Sequence, residues 1–198
     1  MSIASLHRMF LSETEGWSEL VRVHPSPRGL MRAYVAPMSL IPLIMYGYAG
    51  LVAPGAVFPA VVPAFSTVEM LLVGGLFFAT ELVMVWLMAS YIQQSCEEAG
   101  FGTTFEGAFT LAAVAPTPLW LSSLALFIPS SAFNVAVVLL AWFGSAALIR
   151  HGVRPLLEIG EAIAARRMAN TITFAGVMAW VALMVLLALL VSFVVGWR

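Results

Sequence analysis

The chain has 198 residues, 62% of them hydrophobic and 10% charged, with a net charge of -1. So apolar a balance excludes the water-soluble classes and makes a bilayer the expected solvent. All ten acidic residues are Glu and all nine basic ones Arg, so there is no lysine for a phosphate-cradling GK[ST] loop and no aspartate for an aspartyl phosphate, a paired-aspartate protease or an EF-hand.

The N-terminal segment, 1–29, reads as cytoplasmic with one interfacial helix. Ser12 and Glu15 have capping-box spacing, so a helix is expected to start near residue 13. Trp17, Leu20 and Val21 then share one face, suited either to the headgroup region or to packing on the rest of the protein. No apolar core precedes a cleavage site, so a signal peptide is not expected. The break His24-Pro25-Ser26-Pro27 ends the helix.

The remainder, 30–198, reads as a membrane domain. Five apolar stretches, at about 30–52, 67–90, 107–128, 131–150 and 172–196, are each long enough to span a hydrocarbon core. Together they predict an all-α polytopic helix bundle. Ile128-Pro129-Ser130-Ser131 marks a tight turn between spans three and four; a four-span reading would make these two a re-entrant pair. Arg8, Arg22, Arg28 and Arg32 precede span one, and Arg150, Arg154, Arg166 and Arg167 fall between spans four and five. The positive-inside bias then places the N-terminus in the cytoplasm and the C-terminus in the periplasm. The exposed basic surface, Arg28, Arg32, Arg150, Arg154, Arg166 and Arg167, would favour anionic lipid headgroups. A second interfacial helix is expected to start at Pro155 and run through Ile159 and Ile163. The acidic stretch around Glu97, Glu98 and Glu106 is either a solvated loop or a partner for these arginines.

Polar residues within the spans carry the most information, because lipid penalises them. Glu81 lies near the midpoint of span two with no cationic side chain expected at its depth, so it should be protonated and hydrogen-bonded. Pro116 and Pro118 in span three free the carbonyls of Ala112 and Val114, and Pro42 in span one frees that of Met38. The sequence thus predicts a midplane polar layer of Glu81, Thr117, Pro116, Pro118 and Pro42. It could be a proton or solute site or glue between helices, and a single acid without a relay partner favours glue. Glu69, about 120° round the helix from Glu81, reads as a snorkelling or loop-end residue. Gly74-Gly75 and Gly47 with Gly50 suit close helix approach. Trp86, Tyr91, Trp142 and Trp197 fit an interfacial belt, with Trp120 deeper. Cys96 is the only cysteine, so no intrachain disulfide forms. No spacing suggests a catalytic, metal or cofactor site, and no partner is expected among nucleic acids.

Several landmarks, taken in order, resemble the bacterial branch of the Yip family, the Ypt/Rab-interacting membrane proteins. They are Trp17 with the Pro25/Pro27 break, Ala36-Pro37-Met38-Ser39-Leu40-Ile41-Pro42-Leu43, Phe101-Gly102-Thr103-Thr104, Ala115-Pro116-Thr117-Pro118-Leu119-Trp120, Ile128-Pro129, and Gly152-Val153 with Pro155-Leu156-Leu157. The resemblance implies a five-helix domain in a bacterial inner membrane, a cytoplasmic N-terminus and no enzyme activity. Thr103 replaces a second glycine of the family pattern and Trp142 a tyrosine. The long N-terminal region associated with small GTPases is largely missing, so Rab binding is not carried over. The expected role is a non-enzymatic scaffold or membrane-organising factor, acting with lipid, a membrane-protein partner or a second copy. The alternative is a small transporter or channel built around Glu81 and Thr117.

Overall fold

The computed structural model describes residues 16–23, 25–52 and 66–196. These form helices, with no strand among the described residues, and five of the helical units are long and apolar enough to cross a membrane. The expected Ser12/Glu15 cap lies outside the described residues.

Helix α1 is Trp17–Val23. Trp17 is fully buried, Leu20 is nearly so, and both belong to the main core. Gly152 makes room for this: a Cβ there would meet the Trp17 ring at 2.7 Å and a Leu111 methyl at 2.8 Å. The apolar face of α1 is therefore covered by protein.

Helix α2, Pro27–Val52, is capped by Ser26, whose Oγ accepts from the Gly29 amide at 3.2 Å. Its Met31–Val35 stretch is a π-helical turn, closed by the Ala36 amide on the Met31 carbonyl. Pro37 supplies the cause: it cannot donate to the Ala33 carbonyl and its ring would strike it, so the preceding turn widens.

Helix α3, Thr67–Glu98, opens with a capping box in which Glu69 accepts from the Ser66 amide at 2.7 Å while Ser66 Oγ accepts from the Glu69 amide. Glu69 is thus a capping residue. At the other end the Phe101 amide reaches the Cys96 carbonyl at 2.8 Å and the Gly100 amide reaches Glu97 at 3.0 Å. This Schellman closure needs Gly100 at φ +82°, which only glycine adopts at no steric cost. Glu97 and Glu98 accept from Gln93 and Gln94, one helical turn away on the same helix.

Span three is broken. Helix α4, Phe105–Val114, starts on a Thr104 cap, and α5, Thr117–Ser122, continues as a 3-10 turn over Ser123–Phe127. Pro116 and Pro118 account for the break, since neither offers an amide; the ladder resumes with Leu119 and Trp120 donating to the Pro116 carbonyl.

Helix α6, Ser131–Leu157, is capped by Ser130 and ends at Glu158, which adopts the left-handed conformation at φ 55°. Helix α7, Ala162–Gly196, follows after a short turn. Three expectations change here. Span four is a full-length helix, Pro155 sits inside its last turn instead of starting a new one, and Ile163, Arg166 and Arg167 belong to α7. Hydropathy registers only the apolar part of a helix, whereas the backbone keeps its hydrogen bonds into the headgroup zone and arginine stems extend towards water. The Arg154 guanidinium holds the turn by donating to the Gly160 carbonyl at 3.3 Å.

Five spans put the N-terminus of α2, the C-terminus of α6 and the N-terminus of α7 at one end, and Arg28, Arg32, Arg150, Arg154, Arg166 and Arg167 are all exposed there. The tightest core lies in this arginine-bearing half: Trp17, Ile92, Phe109, Leu111, Leu148 and Ile172 are all at most 1% exposed. Close approach of α4 to α6 depends on Gly107, where a Cβ would collide with the Leu156 backbone carbonyl. Gly74 and Gly50 likewise admit Leu43 and Met70, whereas Gly47 and Gly75 have nothing within 4 Å.

Candidate intramembrane site

Two polar arrangements occupy the middle of the bundle. The first is a knot at the helix break. Thr117 Oγ1 lies 2.6 Å from the Val114 carbonyl and donates to it, satisfying the acceptor that Pro118 leaves without a helical donor. That hydroxyl has one proton, so Tyr34, 2.7 Å away, is the donor to Thr117. Tyr34 is aimed there from the π-helical turn ahead of Pro37, and the knot ties α2 to the α4–α5 break. Ser39 closes a neighbouring carbonyl, donating to Val35 at 2.6 Å. Sequence reasoning missed Tyr34, although a tyrosine three residues before a helix proline was the signal available.

The second is a cavity of about 540 Å³ between the spans, open on one side. Contacts between α3 and α7, α7 and α6, α6 and α5, α6 and α4, and α4 and α3 close a ring around it, with α2 against α3 and α5. Glu81, Pro42 and Pro116 line this cavity; Thr117 and Pro118 belong to the knot instead. Glu81 therefore makes no hydrogen bond to Thr117. The Trp120 side chain lies beside its carboxyl group, and Oε2 has no hydrogen-bond partner among the described residues.

Trp142 and Ser145 of α6 also stand in the cavity wall, three residues apart on one helix face. Neither Trp142 Nε1 nor Ser145 Oγ, both buried, has a hydrogen-bond partner among the described residues. Glu81 and Ser145 are each fourteen residues from the start of parallel helices, so both lie about 21 Å along them, at matching depth. Trp142 is accordingly no interfacial anchor: it lies deep in α6, with its ring edge-on to Trp180 at 5.0 Å. Trp86 instead packs on Phe105 and Phe109 at the arginine-bearing end, and Trp197 lies outside the described residues.

The rest of the wall is mostly apolar, with aromatic rings of Tyr46, Phe77 and Trp180 and thioethers of Met84, Met88 and Met184, and it also carries Ser122, Ser123, Asn134 and Thr173. No arginine or histidine lines it among the described residues. Leu139 and Phe143 are wall residues that are also 51% and 75% exposed, so the cavity opens sideways beside α6, toward the bilayer. Chemically the arrangement can bind and orient a molecule; it offers no nucleophile paired with a base.

No protein-family model, curated protein or solved structure matches this chain.

Proposed function

We propose that the protein is a non-enzymatic, multi-pass membrane protein that holds a bilayer-dissolved ligand within its bundle. One observation supports the reading: Glu81, Trp142 and Ser145 line a largely apolar cavity between the spans, and each carries a buried polar atom with no hydrogen-bond partner among the described residues. In hydrocarbon such a group costs several kcal/mol, whereas Tyr34, Thr117 and Val114 pair with one another. The cavity is within the size range of small-molecule sites. The transporter alternative shares this site and adds release on both sides.

A different observation favours the scaffold reading: six exposed arginines gathered at one end suit anionic headgroups, and a cytoplasmic setting for that end follows from the positive-inside bias. Placement in a bacterial inner membrane, with a Yip-type role, rests on the landmark motifs alone.

The test is gentle-detergent extraction from native membranes followed by native mass spectrometry and lipid analysis of the purified protein. A reproducible bound species lost in Trp142→Phe/Ser145→Ala protein supports the ligand-holding role. Protein free of any bound species, or binding unchanged in that variant, refutes it.

A further inference from the structure

The α6–α7 hairpin sorts its charges by depth. Arg150 stands seven residues before α6 ends at Leu157, and Arg166 and Arg167 stand four and five residues after α7 begins at Ala162. At 1.5 Å per residue these three lie about 6–10 Å along the limbs from the hairpin's tip. The tip itself carries Glu158 and Glu161. We propose that the limbs bind the phosphate of an anionic glycerophospholipid from the surrounding leaflet, with Arg150, Arg166 and Arg167 as the cationic contacts and exposed rings deeper on the same faces against its acyl chains. The proposal deepens the headgroup reading above and does not draw on the cavity.

The arginines have charge to spare. The guanidinium groups of Arg150, Arg166 and Arg167 are exposed and make no hydrogen bond or ion pair with another described residue, whereas Arg154 is engaged at the turn with the Gly160 carbonyl. The acidic residues at this end stand elsewhere: Glu97 and Glu98 accept from Gln93 and Gln94, and Glu158 and Glu161 are exposed at the tip. Each limb also continues as a lipid-facing surface beneath its arginine. Phe143 is seven residues from Arg150 and Phe174 seven residues from Arg167, and both rings are exposed. Seven residues bring a helix back to within about 20° of the same direction, about 10 Å deeper. A cation above a lipid-facing ring repeats the order of phosphate and acyl chain in a phospholipid. Guanidinium groups match phosphate oxygens through paired N–H donors. With four arginines and two glutamates from Arg150 to Arg167, the hairpin has surplus positive charge. A zwitterionic lipid, which brings its own ammonium, offsets that charge less well than an anionic one.

Delipidated full-length protein in a zwitterionic detergent would be titrated with dioleoyl-phosphatidylglycerol or dioleoyl-phosphatidylcholine, with binding read by native mass spectrometry. Phosphatidylglycerol is expected to bind about tenfold more tightly, and raised salt to narrow the difference. Arg150→Gln/Arg167→Gln should weaken phosphatidylglycerol about 10–30-fold, at about fivefold per arginine, and leave phosphatidylcholine unchanged. Arg28→Gln/Arg32→Gln removes the same charge outside the hairpin and should have a smaller effect. Each variant's Tm without lipid reports whether it still folds. Equal loss in the two double variants, or unchanged binding in the hairpin variant, would refute the hairpin site while sparing the headgroup reading. No preference between the two lipids would remove both. Competition by excess glycerol 3-phosphate that matches the lipid itself would show a soluble-phosphate site and overturn the lipid assignment.

Discussion

Replacing Thr117 by valine tests whether the knot at the helix break holds the bundle together. The change keeps the side chain's shape but strips the hydroxyl that donates to Val114 at 2.6 Å and accepts from Tyr34 at 2.7 Å. The Val114 carbonyl cannot recover a helical donor because residue 118 is proline, so it carries an unsatisfied-acceptor cost of about 1–3 kcal/mol. The stranded Tyr34 hydroxyl adds roughly 0.6 kcal/mol, the average for interhelical hydrogen bonds in membranes. Thr117→Val should therefore destabilise by about 2–3 kcal/mol, lowering Tm by roughly 4–12 °C for a chain of this size. Tyr34→Phe alone should cost only about 0.5–1 kcal/mol, since Thr117 still serves Val114. The double variant should cost little more than Thr117→Val, leaving a coupling energy of about 0.5–1 kcal/mol. Thr117→Ser, which retains both hydrogen bonds, serves as the control. Reversible unfolding in mixed micelles, followed by far-UV circular dichroism, would supply the four values. If Thr117→Val lies within about 0.5 kcal/mol of the parent, or the two substitutions simply add, the knot is not a stabilising unit.

Further outcomes follow from packing and topology. Gly107→Ala should be costly, at least about 1–3 kcal/mol, because its Cβ meets the Leu156 backbone, whereas Gly75→Ala, with nothing within 4 Å, should be neutral or slightly stabilising; parallel thermal melts compare them. Gly152→Ala should push the Trp17 ring out of its seat and crowd Leu111, and a lowered Tm with faster limited proteolysis within 17–26 would register it. Ser66→Ala removes half of a capping box and should cost about 1 kcal/mol, read by urea-assisted unfolding. Reporters active on one side of the membrane, fused to either terminus, should respond from opposite compartments; a shared compartment would contradict five spans.

Sequence reading located the five spans because each exposes about 20 apolar residues to lipid, a signal that composition alone carries. It misplaced helix ends, since the segments around Glu97, Pro155 and Arg166 are helical yet polar, and hydropathy is blind to backbone hydrogen bonding outside the hydrocarbon. Glu69 shows the same limit: Ser66 and Glu69 have capping-box spacing, but the acid was read by depth instead of by its distance from a helix start. Glu81, Pro42 and Pro116 were legible as midplane residues because charge and proline are conspicuous in an apolar run. Tyr34, Ser145 and Trp142 were not. Their roles depend on the rotation of α2 and α6 about their axes, which the π-helical turn and neighbouring helices set. Aromatic and hydroxyl residues are common enough in membrane helices that position along the chain does not single them out.

The double proline in the third span divides the bundle mechanically. Towards the arginines, α4 is clamped by Trp17, Gly107 and Gly152 into packing that leaves its side chains almost no freedom. At Pro116 and Pro118 two rungs of the backbone ladder are missing their amides, and the Tyr34–Thr117–Val114 knot is a side-chain bridge across that gap. The α5 segment, with Thr117 and Trp120 buried, is thus joined to that half through side chains where the backbone ladder is interrupted.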